Sequence, residues 1–188
     1  MNRIKGQVRV PEFALPTNVT ESMWGVVPND EVGWKVVSRL ALASSFVTWK
    51  PAGSEDLQVL NYGLGGQYSY HLDAHGYWEG RTSNWMFKML GDRIATLLLY
   101  LSDVEEGGAT AFPATGVKLM AKKGTAAFFF DLKTSGLVDN LTYHGGCPVL
   151  VGSKWISNLW IGYSDQFLNF PCDIKGYNER YKYFTKHY

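Results

Sequence analysis

The chain of 188 residues is 46% apolar, enough to bury one full core at roughly 100–200 residues per domain and too apolar for intrinsic disorder. Eighteen basic and seventeen acidic side chains nearly cancel at +1, so no general basic field points to nucleic acid or to an anionic membrane. The longest apolar runs, such as residues 95–101 and 126–130, fall far short of the roughly 18 residues of a spanning helix.

Residues 1–20 hold Arg3, Lys5, Arg9 and Glu12 with no apolar run of the kind a secretory leader needs. Next, residues 30–44 place Val32, Val36, Val37 and Leu40 at helical spacing, with Asn29 or Asp30 as N-cap, which predicts a helix packed by one face. Residues 51–54 (Pro-Ala-Gly-Ser) break the chain. From residue 57 the pattern becomes short strands: 57–62, a Gly-rich turn at 63–66, then 68–72. Residues 83–90 read as a short helix burying Trp85, Met86 and Met89. Strands are then predicted at 93–101, 109–112, 117–120, 125–130, 141–144, 149–151 and 154–163, each bounded by Gly, Pro, Asp or Ser. This describes one mainly β domain of the α+β class, a β-sandwich or jelly roll with flanking N-terminal helices. Residues 1–50 form a helical support region, 57–172 the core and 173–188 a polar, Tyr- and Lys-rich tail.

Histidine is scarce: His71, His75, His144 and His187. In His71-Leu-Asp73 an imidazole and a carboxylate share one side of an extended segment, about 7 Å apart at Cα and able to hold one ion. His75 is a poor third ligand, because i and i+4 lie about 13 Å apart on a strand. His144, on another predicted strand, is the better candidate. Two His and one carboxylate on one face of an octahedral ion form the facial triad of non-haem Fe(II) oxygenases. Alone, H-x-D is common and more often marks a turn with a satisfied polar pair. In residues 154–160 the alternation puts Lys154, Ile156, Asn158 and Trp160 on one face. A Lys pointing into a core is costly unless an anion meets it, and a dicarboxylate held by metal and Lys154 would satisfy both charges. The plain alternative is an edge-strand Lys facing solvent.

Cys147 and Cys172, 25 positions apart, make no C-x-x-C metal pair; spacing alone leaves buried thiols and a disulfide equally open. Sequons at Asn18 and Asn140 lean toward a lumenal protein, although about one is expected by chance.

Residues 57–73, 92–96, 100–104, 106–113, 123–126 and 144–158 together resemble the catalytic domain of the collagen prolyl 4-hydroxylase α-subunit family. The matches run in family order over about residues 57–172, with Lys154 ten residues after His144. The resemblance implies a double-stranded β-helix, a jelly-roll variant. It implies Fe(II) on His71, Asp73 and His144, and 2-oxoglutarate on Lys154 with hydroxyl support from Tyr62 and Thr110. It places Tyr68, Arg93 and Trp160 at the peptide groove and pairs Cys147 with Cys172 in a disulfide. The implied activity hydroxylates peptidyl proline, with O₂ as cosubstrate and ascorbate as cofactor, on a procollagen-like substrate. The implied partner is protein disulfide isomerase, and the implied location is the endoplasmic reticulum lumen or outside the cell.

Departures cluster near the groove. Ser69-Tyr70 stands where the family has Glu-Pro, Leu72 replaces an aromatic, Gly145-Gly146 follows His144 where two Ala are usual, and Leu159 replaces a Lys. None is a ligand position. The rival readings are a zinc hydrolase on the same triad, an aromatic-faced binding module, and a catalytically inactive or non-collagen paralogue serving as a peptide-binding subunit. The first two give Lys154 no role beside the triad; Fe(II)-dependent succinate release separates all three from the favoured reading.

Overall fold

A computed structural model describes residues 21–25, 31–48, 53–76 and 85–171. The described chain is mainly β: eleven strands in three antiparallel sheets, two α-helices and a 3₁₀ turn. In chain order they are β1 (Glu21–Gly25), α1 (Glu31–Ser44), β2 (Leu57–Tyr62), β3 (Tyr68–His71) and α2 (Trp85–Leu90). Then come β4 (Arg93–Tyr100), β5 (Glu106–Gly107), β6 (Thr110–Phe112), β7 (Val117–Leu119) and β8 (Ala126–Phe130). The 3₁₀ turn (Asn140–Thr142), β9 (His144–Gly146), β10 (Val149–Val151) and β11 (Lys154–Gly162) complete the order. No helix among the described residues is long and apolar enough to cross a membrane.

The larger sheet runs β1-β2-β11-β4-β8 and the smaller β3-β9-β6-β7, with β5 and β10 as a separate ribbon. Strand β11 is central: Lys154 pairs with Tyr62 of β2, and Ile156 with both Leu60 of β2 and Tyr100 of β4. Its alternation separates two cores. Leu159 and Ile161 join Leu40 of α1, Phe46, Leu97 and Phe170 on one face. On the other, Ile156 joins Leu60, Tyr62, Leu98, Tyr100 and Val149 beneath the smaller sheet. Both faces of β11 are therefore covered, and it is buried along almost its whole length, Lys154, Ser157 and Asn158 included. Burying a side chain such as Leu159 or Ile161 completely is worth about 1.5–3 kcal/mol.

Helix α1 buries Val37, Leu40, Ala41 and Ser44, one face at i, i+3, i+4, i+7. Val32, expected on that face, is exposed, and Val36 is only partly buried. The helix stops where Ser45 takes φ 59°, the left-handed cap conformation.

The strand expected at 141–144 is instead a 3₁₀ turn followed by β9. Asp139 explains this: its side chain accepts the Leu141 N–H at 3.2 Å, a local hydrogen bond that competes with extended structure. Residues 21–25, assigned from sequence to a helical support region, form β1, because β2 offers them a free antiparallel edge. One helix, α1, is described in that region where several were expected. The expected tail at 173–188, Cys172, Asn18 and His187 lie outside the described residues.

Candidate metal centre

The first ligand candidate ends β3 and the third begins β9, and the two strands pair His71 directly with His144. Cross-strand neighbours on one face approach to about 5 Å, so the sheet brings together two imidazoles 73 positions apart in sequence. Asp73 lies two residues beyond His71. Its Oδ1 is 3.3 Å from His71 Nε2 and its Oδ2 is 3.9 Å from His144 Nε2. One nitrogen from each imidazole and one Asp73 oxygen lie within 4.8 Å of one another, the only such cluster of three among the described residues.

Both imidazoles are oriented by the same device. His71 Nδ1 lies 2.7 Å from the Ser69 carbonyl, and His144 Nδ1 lies 2.9 Å from the Thr142 carbonyl, each two residues back. A carbonyl can only accept, so each Nδ1 carries a proton and Nε2 is the nitrogen each ring turns toward the centre. An N₂O donor set with both tautomers fixed suits a divalent first-row cation such as Fe(II). Phe112 stacks on His144 and Phe129 meets it edge-on, walling one side with apolar surface.

The charges are coupled. Burial alone would raise Asp73, yet the His71 hydrogen bond and the two imidazoles hold it far below the usual carboxylate range. Burial likewise works against a charged His71, but Asp73 and the Ser69 carbonyl outweigh it and raise its pKa. His144 goes the other way, lowered mainly by burial.

Lys154 is 2% exposed and lies in the core, at the start of the central strand, rather than on an edge. Its Nζ lies 3.4 Å from Thr110 Oγ1, which also accepts from Tyr100 Oη at 2.9 Å, and it stands over the rings of Tyr62 and Tyr100. No carboxylate among the described residues forms an ion pair with it. Burial pushes its pKa down to about 8. Tyr62 is buried beside it, and its phenol is pushed up by burial and by the Tyr68 and Asp73 charges.

Tyr68 packs on His71 with ring centroids 4.6 Å apart. Arg93 makes a fork onto Glu55, lies over Trp160 and donates to the Asp73 carbonyl at 3.3 Å. Trp160 is buried beneath it. His75 stands outside the cluster; its backbone N–H donates to Asp92 at 2.9 Å. Cys147 follows β9, its N–H donating to the Ala109 carbonyl.

Four polar residues that support the site were not singled out from sequence. Glu55 anchors Arg93, and Asp92 accepts the N–H groups of His75 and Gly76, pinning the loop that carries Asp73. Thr96 donates to Asp73, and Asp131 lies behind Thr96. A usable signal existed for two of them, since Asp92 and Thr96 bracket the Arg93 segment already picked out; Glu55 and Asp131 sit in otherwise unremarkable turns.

Residues 57–162 match the family model of the 2OG-Fe(II) oxygenase superfamily. Human prolyl 4-hydroxylase subunit alpha-1 (Homo sapiens) is 45% identical over 142 residues, which is 74% of this chain and 26% of that protein. Prolyl 4-hydroxylase subunit alpha-3 of Rattus norvegicus is 46% identical over 163 residues, 86% of this chain and 29% of that protein. Among solved structures, the 2OG complex of the viral collagen prolyl hydroxylase from Paramecium Bursaria Chlorella virus-1 superposes with a TM-score of 0.64 at 31% identity. It covers 77% of this chain and 78% of the viral one. This chain belongs to the 2OG-Fe(II) oxygenase superfamily. It spans about a quarter of the length of the curated relatives it matches.

Proposed function

We propose that this chain is the catalytic domain of a prolyl 4-hydroxylase, an Fe(II)- and 2-oxoglutarate-dependent dioxygenase acting on peptidyl proline of procollagen-like chains and releasing succinate and CO₂. The observation that carries this reading is a buried ammonium, Lys154, without a carboxylate partner among the described residues, close enough to the His₂-Asp cluster to act on His144. A dicarboxylate reaching from a metal ion to Lys154 would answer both charges. The ordering of strands around this interior supports a double-stranded β-helix in a single domain with its core at 57–172.

His71, Asp73 and His144 would hold Fe(II) through two neutral imidazoles and one carboxylate. When bound, the ion supplies the O₂ chemistry that oxidises 2-oxoglutarate and hydroxylates the substrate C–H bond. Lys154 binds the distal carboxylate of 2-oxoglutarate, with hydroxyl groups of Thr110 and Tyr62 beside it, and the walls of Phe112, Phe129 and Tyr100 keep water out. Tyr68, Arg93 and Trp160 border the peptide groove on this reading. Ascorbate as a cofactor, a Cys147–Cys172 disulfide, a lumenal location and protein disulfide isomerase as partner all follow from the kinship with prolyl 4-hydroxylase α-subunits.

The test is mass spectrometry of Pro-rich peptides, collagen-like and otherwise, incubated with Fe(II), 2-oxoglutarate and ascorbate. Gain of one oxygen on proline, matched by succinate, is expected. Succinate release without a modified proline on any peptide would keep the oxygenase and sink the prolyl assignment.

A further inference from the structure

Asp131 follows β8 directly and is 1% exposed. One of its oxygens, Oδ2, is 2.8 Å from Thr96 Oγ1, and the same Oγ1 is 2.7 Å from Asp73 Oδ2. A threonine hydroxyl has a single proton, so two ionised carboxylates cannot both receive it. One of the two acids must bring a proton of its own. Asp73 belongs to the proposed metal centre, its oxygens 3.3 and 3.9 Å from the His71 and His144 Nε2 atoms that would share a cation with it. Asp131 has no such neighbour: its Oδ1 is buried with no hydrogen-bond partner among the described residues. An ionised carboxylate there would leave a charged oxygen without a hydrogen bond in a dry interior. The proton therefore sits on Asp131 Oδ2 and is donated to Thr96, whose own proton points at Asp73. Burial, and next the charge of Asp73, push the Asp131 pKa well above the carboxylate range, against weaker opposing effects from Thr96 and Arg93.

We propose that Asp131 is a neutral-acid positioning residue that acts through Thr96 to fix the carboxylate of Asp73 at the metal centre. The chain Asp131→Thr96→Asp73 commits one lone pair of Oδ2 and removes the freedom of the Thr96 hydroxyl to turn away. It also keeps the site at one carboxylate charge although two carboxyl groups flank it. This role rests on the metal-centre reading above, because it concerns how Asp73 is presented to the ion.

The experiment uses the full chain with Mn(II) as probe, read by calorimetry and by electron paramagnetic resonance of the bound ion. Infrared spectra of the metal-free protein provide an independent readout. Asp131→Asn keeps a neutral donor toward Thr96 and should bind Mn(II) within twofold of wild type with the same spectrum. Asp131→Leu should weaken binding at least threefold and Thr96→Val at least tenfold, both with altered Mn(II) line shape, as expected for partners of a metal ligand. The carbonyl stretch of a protonated carboxyl group should disappear in Asp131→Asn. Wild-type affinity and line shape in Asp131→Leu would overturn the positioning role while leaving the metal centre standing. Should Asp131→Leu fail to fold, a more than threefold loss in Asp131→Asn, or no protonated-carboxyl band lost in it, overturns the neutral-acid assignment. A wild type that binds no Mn(II) overturns the metal-centre reading and the positioning role together.

Discussion

Arg93 lies over the indole of Trp160, its guanidinium carbon 3.8 Å from the ring centroid. Glu55 takes its Nε and Nη2 at 2.6 and 3.0 Å, and the Asp73 carbonyl takes Nη1. An arginine engaged this fully organises the loop of a proposed metal ligand as well as bordering the proposed peptide groove. Arg93→Ala leaves Glu55, 9% exposed, without its partner, and should cost about 3 kcal/mol of stability. Pairing it with Glu55→Gln should recover part of that loss in a double-mutant cycle followed by urea unfolding. A pure groove residue would instead raise the KM for peptide and leave the unfolding midpoint in place.

Lys154 ties stability to cosubstrate affinity with opposite signs. Its ordinary value of 10.5 is lowered to about 8 by burial, so between these limits the unfolded chain holds a proton that the folded chain has lost. The cosubstrate-free protein should therefore gain stability from Lys154 as pH rises from about 8 to 10.5, and lose it again as pH falls through that window. Affinity for 2-oxoglutarate should fall above pH about 8, where the ammonium is lost, with proton uptake on binding seen by calorimetry in buffers of different ionisation enthalpy.

Lys154→Met keeps the buried stem and removes the charge. At pH 7 the variant should be about 1–3 kcal/mol more stable than the cosubstrate-free wild type, because a desolvated ammonium is gone. Its KM for 2-oxoglutarate should rise more than tenfold, and Lys154→Arg should restore activity only in part, since a planar fork differs in reach from an ammonium. An unchanged KM in Lys154→Met would place the cosubstrate on a different strand.

His71→Ala, Asp73→Ala and His144→Ala should each abolish Fe-dependent succinate formation. His75→Ala should be tolerated, because what holds its loop is a backbone N–H on Asp92, which the substitution keeps. His187→Ala is expected to be silent as well. Turnover at wild-type rate in any of the first three would refute the ligand set.

Gly145 and Tyr70 should prove interdependent. A Cβ on Gly145 would meet Tyr70 Cδ1 at 2.8 Å and the Tyr68 carbonyl at 3.0 Å. The family places Pro at the position of Tyr70 and Ala at the position of Gly145, so these two departures form one packing exchange. Gly145→Ala alone should destabilise by about 1–2 kcal/mol through overpacking, and Gly145→Ala with Tyr70→Pro by less. Thermal melts of the two variants decide this; equal losses would show that the Tyr68 carbonyl, and not the Tyr70 ring, sets the limit.

The sequence by itself picked out the three residues that the fold clusters, His71, Asp73 and His144, and most of the strands. His71 and Asp73 are local neighbours, and the alternation of residues 154–160 does put Lys154 and Ile156 on an inward face. Strand geometry alone also set His75 apart from that cluster. Tertiary structure decided what local pattern cannot encode. Period-2 alternation is the same for an edge and a central strand; only pairing with β2 and β4 makes Lys154 buried and costly. Residues 21–25 are extended because an edge of β2 waits for them, a contact made across some 35 positions of chain. The 3₁₀ turn at 140–142 arose from one Asp139 hydrogen bond too local to disturb a hydrophobic pattern. The chain of Asp131, Thr96 and Asp73 joins three separate segments at one hydroxyl proton, and a proton count of that kind exists only once the chain is folded.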